Sequence, residues 1–264
     1  MVKSPTPNRY QLLIEGVFFD GYRNGMKEFE FAREDLETKA TQLEMKLPKN
    51  LGDVVYAIRY RTELPASVIA TQPKGREWII EGAGTSRYRF RLVAATRISP
   101  NHSLLKIGIP DATPELIRAY ALDDEQALLA IVRYNRLIDT FLGLTTYSLQ
   151  NHLRTTVKGI GQIEIDELYF GIDRNGCHFA IPVQAKGGKD QIGVVQTSQD
   201  ISFVEQKFPG MRCRAISVQF MQDESVAMFE LASQDGEVKV AQERHYRLLP
   251  AAELDTIAVR DYRD

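Results

Sequence analysis

The spacing of apolar residues in the second half of the chain changes from helical to alternating. Residues 124–143 carry apolar side chains three or four positions apart, which predicts an amphipathic helix, and residues 146–155 predict a second helix. Residues 163–186 then predict two strands joined by an Asn175-Gly176 turn. This hairpin carries most of the polar residues whose chemistry is considered below.

After the hairpin, apolar residues again show helical spacing and then the alternation that is typical of strands. Residues 190–208 predict a helix that Pro209-Gly210 ends, and residues 213–220 predict a strand. A last hairpin is predicted around residues 235–236. The order helix, strand, strand, helix, strand predicts an α/β fold whose helices pack on the faces of one sheet.

The first half of the chain is divided into shorter segments. Residues 10–19 predict a strand, and residues 28–46 contain a polar helical stretch. Residues 51–60 have helical spacing, and a short helix is predicted over residues 64–69. Alternation around a glycine-rich turn over residues 78–92 predicts a β-hairpin. The first half is therefore predicted to be α+β.

A break in the pattern separates the two halves. Pro110 and Pro114 interrupt it, and Thr113-Pro114-Glu115 has the residue types that begin a helix. We therefore predict an N-terminal domain over residues 1–110 and a C-terminal domain over residues 111–264. The chain is long enough for two small domains.

The overall composition excludes several classes of protein. Hydrophobic residues make up 44% and charged residues 26%, which is typical of a globular protein in water. No apolar run approaches the roughly 20 residues that span a membrane, and no signal peptide is evident, so we predict a cytoplasmic protein without a membrane partner. Two cysteines exclude a disulfide framework, and the four histidines lack metal-ligand spacing.

Basic residues are concentrated in one part of the N-terminal half. The net charge is −2, yet residues 59–97 contain eight basic and three acidic residues. On the second strand of the predicted hairpin, three arginines alternate with apolar residues and share one face. We predict that this region contacts DNA phosphates through Arg59, Arg61, Arg87, Arg89 and Arg91. The alternative is a charged strand face that serves solubility.

Helix, turn, helix and then a hairpin with arginines on one face resembles a winged-helix layout. The resemblance is one of arrangement and carries no diagnostic motif. It implies an N-terminal DNA-recognition domain.

The hairpin over residues 163–186 carries acidic groups on its first strand and a lysine on its second. Glu164, Asp166 and Glu167 lie on the first strand, and the second ends in Gln184-Ala185-Lys186. Oxygen ligands of this kind suit Mg²⁺, which can stabilise charge and activate water in phosphodiester hydrolysis. The alternative is a hairpin whose charged residues only face solvent.

The register of this hairpin decides which acid accompanies Gln184 and Lys186, which share a face two residues apart. A two-residue Asn175-Gly176 turn pairs Glu167 with Gln184 and leaves Asp166 on the opposite face. A one-residue bulge or a three-residue loop reverses this parity. Parity alone leaves both arrangements open.

The hairpin and its flanking helices resemble the PD-(D/E)xK nuclease superfamily over roughly residues 146–219. The Gln-x-Lys form is similar to that of Mrr-like restriction enzymes. The resemblance implies a restriction-endonuclease-like core, a mixed sheet flanked by helices. It also implies Asp166 and Gln184 as Mg²⁺ ligands, with Mn²⁺ able to substitute, and Lys186 as a catalytic residue. Glu167, and after it Glu164, are the further candidate metal ligands.

Two other features of this segment bear on the resemblance. In the superfamily the helix before the hairpin can supply an acidic ligand, and residues 146–155 contain no acid. Lys189, after Gly187-Gly188, is a candidate DNA contact because glycines allow a phosphate to approach the backbone closely. A loose loop before a helix is the equal alternative.

These features predict a Mg²⁺-dependent restriction-type endonuclease that cuts double-stranded DNA as a homodimer. One alternative is a non-catalytic DNA-binding protein with a degenerate nuclease fold. Another is a repair or junction-resolving nuclease. Sequence motifs of nucleotide-binding loops, serine hydrolases and zinc proteases are absent.

Overall fold

The computed structural model describes residues 8–47, 50–60, 62–94, 98–120, 125–187 and 192–254. The chain divides into two compact units. The first contains residues 1–96 together with residues 156–162, and the second contains residues 97–155 and 163–264.

The first unit is built from four helices and three strands within the described residues. In chain order these are α1 (Arg9–Gly21), β1 (Glu28–Ala32), α2 (Arg33–Gln42), α3 (Gly52–Tyr60), α4 (Ala66–Ile69), β2 (Arg76–Gly82) and β3 (Arg87–Ala94). The strands form an antiparallel sheet in the order β1-β3-β2. The predicted helices over 51–60 and 64–69 and the hairpin over 78–92 are therefore confirmed.

Helix α1 replaces the strand predicted over residues 10–19. Asn8 caps the helix by accepting hydrogen bonds from the backbone N–H groups of Tyr10 and Gln11, and the Gln11 side chain accepts one from the Asn8 N–H. The buried residues of α1 are Leu13, Ile14, Val17 and Phe18, a helical spacing. The prediction was wrong because a short apolar run does not by itself distinguish helix from strand.

The polar stretch over residues 28–46 is divided between a strand and a helix. Residues 28–32 form β1, which pairs with β3, and α2 begins at Arg33. Asp35 marks the start of α2, because its carboxylate accepts a hydrogen bond from the Ala32 N–H at 2.7 Å.

Gly82 is required by a close backbone approach within the first unit. A Cβ atom at this position would lie 1.7 Å from the backbone oxygen of Ile160. Ile160 belongs to the segment 156–162, which is the turn of a later hairpin. Glycine at position 82 therefore lets this turn pack against the end of β2.

The second unit is a mixed α/β structure. Its elements are β4 (Lys106–Pro110), α5 (Glu115–Tyr120), α6 (Glu125–Tyr134), α7 (Leu137–Leu142), β5 (Thr145–Val157), β6 (Gly161–Ile172), β7 (His178–Lys186), α8 (Val194–Lys207), β8 (Arg212–Cys213), β9 (Ala215–Phe220), β10 (Val226–Gln234), β11 (Glu237–Leu249) and a short 3-10 turn (Ala251–Glu253). The large sheet has the order β4-β11-β10-β9-β7-β6-β5, with β8 beside β7. No helix among the described residues is long and apolar enough to cross a membrane.

Helices cover both faces of this sheet, as the α/β prediction requires. Leu128, Leu129 and Val132 of α6 pack with α7 against one face, which includes Ile181 and Val183. Helix α8 follows β7 and lies on the other face, where Gln184 of β7 hydrogen-bonds to its Asp200. Strand β9, after α8, pairs in parallel with β7.

The division between the units falls earlier in the chain than the predicted boundary at residues 110–111. Strand β4 pairs in parallel with β11 from Lys106 to Pro110, so these residues belong to the large sheet. The prolines near residue 110 end an edge strand, where a missing backbone donor is tolerated, and do not mark the boundary.

Strand β5 replaces the helix predicted over residues 146–155. Gly143 ends α7 in the left-handed conformation, with φ of 66°. The chain then forms a 13-residue strand at the edge of the sheet, beside β6. Threonines at both ends of the strand favour β structure, and pairing with β6 outweighs the helical spacing of Tyr147, Leu149 and Leu153.

Candidate functional site

The β6–β7 hairpin has the register that brings Asp166 towards Gln184. Glu167 pairs with Val183, and the pairing continues in step to Ile172 opposite His178. The turn is longer than two residues, because the Asp173 N–H donates to the Cys177 carbonyl and leaves residues 174–176 between them. Asp166 therefore lies on the face that carries Gln184.

Gln184 is buried and held by its amide nitrogen. Nε2 donates to Asp200 Oδ2 at 2.9 Å and to the backbone oxygen of Glu164 at 3.1 Å. Two acceptors on one NH₂ group fix the amide orientation. Gln184 Oε1 is buried and has no hydrogen-bond partner among the described residues.

Asp166 anchors one of its oxygens to the neighbouring strand. Oδ2 accepts a hydrogen bond from the Ala185 N–H at 2.8 Å. Burial raises the pKa of Asp166, and this hydrogen bond and the charge of Lys186 oppose the shift. The carboxylate thus accepts a backbone hydrogen bond and is influenced by the charge of Lys186.

Lys186 ends β7 and forms an ion pair with the first residue of α6. Its Nζ lies 3.2 Å from Glu125 Oε1, and its side chain is 13% exposed. Glu125 is thus an acid of an earlier helix, α6, that contacts Lys186, whereas residues 146–155 contain no acid. The sequence places Glu125 at the start of a predicted helix, but no spacing rule connects it to Lys186.

Asp200 and Ser217 complete the buried surroundings of Gln184. Asp200 lies on α8 and is 2% exposed, and burial raises its pKa well above the ordinary range. Ser217 is the neighbour of Gln184 on β9. One oxygen of each, Asp200 Oδ1 and Ser217 Oγ, is buried without a hydrogen-bond partner among the described residues. The only sequence signal for Asp200 is an acid beside Ile201 in an amphipathic helix.

Glu167 lies on the opposite face of β6, so its prediction as a metal ligand beside Asp166 was wrong. It is fully buried, and its Oε1 lies 3.0 Å from Arg133 Nε and also accepts from the Ser148 hydroxyl. Adjacent residues of a strand point to opposite faces, so Glu167 cannot share a site with Asp166. It forms an ion pair beneath α6.

The carboxylate of Glu164, the weaker candidate ligand, contacts side chains of the edge strand β5. Its carboxylate lies 3.2 Å from Arg154 Nε and 3.4 Å from His152 Nδ1. Its backbone oxygen holds Gln184. Glu164 therefore contributes to the site through its backbone oxygen, which accepts a hydrogen bond from Gln184.

Two of the three arginines on β3 are paired with carboxylates of their own sheet. Arg89 lies 3.0 Å from Glu30 on β1 and is also close to Glu28 and Glu81. Arg91 contacts Glu81 on β2 with two nitrogens at 3.1 Å. Arg87 is exposed at the start of the strand. DNA contact by these residues remains a prediction, and Arg87 is the best placed of the three.

The side chains of three further DNA-contact candidates are not described. Arg61 and Lys189 fall in undescribed segments, and only the backbone of Arg59, in α3, is described.

The oxygen donors on the Asp166 face fit a hard divalent cation. No group of three His, Cys, Asp or Glu side chains within the described ranges is arranged to hold a metal. Asp166 and the buried carbonyl of Gln184 nevertheless offer two oxygens, and Mg²⁺ usually keeps several waters beside one or two protein ligands. The site contains no histidine or cysteine of the kind that favours zinc.

Comparison of the chain with protein-family models, with curated proteins and with solved structures finds no match in any of the three.

Proposed function

We propose that the protein is a Mg²⁺-dependent endonuclease that hydrolyses phosphodiester bonds of double-stranded DNA. The observation that carries the proposal is the grouping of Asp166, Gln184 and Lys186 on one sheet face. Oxygen ligands beside a lysine are the groups that phosphodiester hydrolysis requires.

Each side chain has a separate role in the proposed reaction. Asp166 and the Gln184 carbonyl would hold Mg²⁺, which when bound supplies positive charge at the phosphate and lowers the pKa of water. Lys186 places its ammonium where negative charge develops on the phosphate. Glu125 restrains the Lys186 chain through its ion pair, which limits the reorganisation needed during the reaction.

The arrangement of the elements supports the same class of enzyme. Helices α6 and α7 precede the β6–β7 hairpin, and helix α8 and the parallel strand β9 follow it, which is the helix, strand, strand, helix, strand order of the PD-(D/E)xK core. Strand β5 is an additional strand before the hairpin. In the first unit, α3, α4 and the β2–β3 hairpin follow one another in the order of a winged-helix layout. We propose that this unit binds DNA and that the enzyme acts as a homodimer, since duplex cleavage needs two cuts.

Plasmid cleavage tests the proposal directly. Supercoiled DNA is incubated with the protein and Mg²⁺ or Mn²⁺, and nicked and linear products are measured. Cleavage should require the metal, stop with a chelator and fall at least about 100-fold in Lys186→Ala and Asp166→Asn. Lys207→Ala and Asp223→Asn, at exposed positions away from Gln184, serve as matched controls. Full activity of both site variants would refute the assignment.

A non-catalytic DNA-binding protein is the second candidate. The observation in its favour is the neutral Gln184 beside Asp166, with no three-acid metal group among the residues described. Metal-independent DNA retention without cleavage on supercoiled, linear and branched substrates would favour this candidate over the enzyme.

A further inference from the structure

The amide of Gln184 is oriented by a buried acid that the proposed chemistry does not use. Asp200 is 2% exposed and Gln184 is 3% exposed, so water does not compete for their hydrogen bond of 2.9 Å. The second hydrogen of the same amide goes to the Glu164 backbone oxygen at 3.1 Å. The NH₂ group of Gln184 therefore donates to both acceptors.

Exchanging the amide atoms would place Gln184 Oε1 against two acceptors and remove both hydrogen bonds. The carbonyl is thereby forced away from Asp200, and its oxygen is the buried atom without a partner among the described residues. Buried polar atoms nearly always bind a protein group, an ordered water or an ion, so this oxygen is the atom of Gln184 that is positioned to contact a ligand.

We propose that Asp200 is a positioning residue that orients the Gln184 carbonyl towards the bound ion, and that this pairing explains glutamine at position 184. The inference rests on the proposed function for the identity of the ion. A glutamate at position 184 could not donate hydrogen bonds to both Asp200 and the Glu164 carbonyl. The amide nitrogen of glutamine donates to both, and its carbonyl oxygen remains to contact the ion.

The pair is tested by a double-mutant cycle on the full-length protein. The variants are Gln184→Glu, Asp200→Asn, the double variant that carries both, and Asp200→Ala. Thermal unfolding, followed by circular dichroism, is measured for each without metal. The shift of the unfolding midpoint with Mn²⁺ and the half-saturating Mg²⁺ concentration for cleavage are measured in parallel.

The four variants have distinct expected outcomes. Asp200→Asn keeps an acceptor for the Gln184 amide and should bind metal as the wild type does. Asp200→Ala should raise the half-saturating Mg²⁺ concentration by about 10-fold, the lower range for losing a residue that orients a ligand. Gln184→Glu should lower the unfolding midpoint. The double variant should recover at least half of that loss, because an asparagine amide at position 200 can donate to a carboxylate at position 184, which reverses the original hydrogen bond.

The cycle separates the two proposals. Additive changes in unfolding midpoint, or an unchanged Mg²⁺ requirement in Asp200→Ala, would overturn the positioning role even if the wild type cuts DNA. If the wild type fails to cut any DNA while the Mn²⁺ shift is weakened by Asp200→Ala and kept by Asp200→Asn, the nuclease proposal fails and the positioning role stands. A wild type that shows neither cleavage nor a metal shift would overturn both.

Discussion

The two adjacent acids of β6 have different surroundings and should have different roles. Asp166 is partly buried beside Lys186 and hydrogen-bonded to the next strand. Glu167 is completely buried beneath α6 and paired with Arg133. The sequence shows only neighbouring acids, because the length of the turn, which decides their faces, depends on how Asp173 pairs with Cys177.

Replacing these acids should separate stability from metal dependence. Glu167→Gln should lower the free energy of unfolding by about 2 kcal/mol, less than for a fully buried ion pair because Arg133 is 40% exposed. Asp166→Asn should change stability little and abolish the Mn²⁺-induced rise in the unfolding midpoint. Denaturant unfolding with and without Mn²⁺ checks both expectations. Loss of the Mn²⁺ effect in Glu167→Gln alone would contradict the assignment of faces.

The two cysteines should differ strongly in reactivity. Burial raises the pKa of the Cys213 thiol from about 9 to about 12, whereas Cys177 is exposed at the β6–β7 turn. A raised pKa keeps the thiol protonated, so at pH 8 only about one Cys213 in 10,000 is a thiolate. A disulfide reagent at pH 8 should therefore release one rapid equivalent from the native protein and a second equivalent much more slowly, unless the protein is unfolded.

The labelling experiment has a direct control in Cys177→Ser, which should remove the rapid equivalent. Raising the pH towards 10 should speed the slow equivalent, because the thiolate fraction of Cys213 rises with pH below its pKa. Two equally rapid equivalents at pH 8 would contradict the burial of Cys213.

At the scale of elements, the sequence predicted most of the second unit and misassigned two segments for physical reasons. The site hairpin and the Asp235-Gly236 turn carry strong local signals, and both residues of that turn have positive φ. The single helix predicted over residues 124–143 is instead divided into α6 and α7 at Arg136, which has a φ of 49°. Strand β5 carries no such signal, because pairing with β6 decides its conformation. Helix α1 does carry one, the Asn8–Gln11 capping box, which the strand prediction did not take into account. Glu125 and Asp200 joined the site only through tertiary packing, which no spacing reveals.

Variants of the β3 arginines test whether these side chains bind DNA or stabilise the three-stranded sheet. Arg89→Ala should lower stability by about 1 kcal/mol, because three glutamates surround it, and should change DNA affinity little. Arg87→Ala should leave stability unchanged and weaken DNA binding, lowering the slope of log affinity against log salt by about 1. Fluorescence anisotropy with labelled duplex at several salt concentrations measures this, and a larger effect at Arg89 would contradict the prediction.

At the scale of the whole molecule, the proposed homodimer needs a self-complementary surface. Strand β5 is the edge of the large sheet and carries no Lys, Arg, Asp or Glu from Thr145 to Leu153. Tyr147 is 64% and Leu149 is 59% exposed on it. Edge strands are usually protected by charge or proline against pairing with another chain, and this stretch has neither. Antiparallel pairing of two β5 edges would bring together uncharged residues.

Two lysines on this edge should therefore dissociate the proposed dimer. In Tyr147→Lys/Leu149→Lys, antiparallel self-pairing would place like charges close together across the two-fold axis, which is unfavourable. Sedimentation velocity at about 10 μM, well above the Kd of a stable dimer, should give a dimer for the wild type and a monomer for the variant. Leu116→Lys, at an equally exposed position on α5, should remain dimeric and controls for added charge. A monomeric wild type would refute the homodimer, and a dimer that survives both lysines would show that another surface forms it.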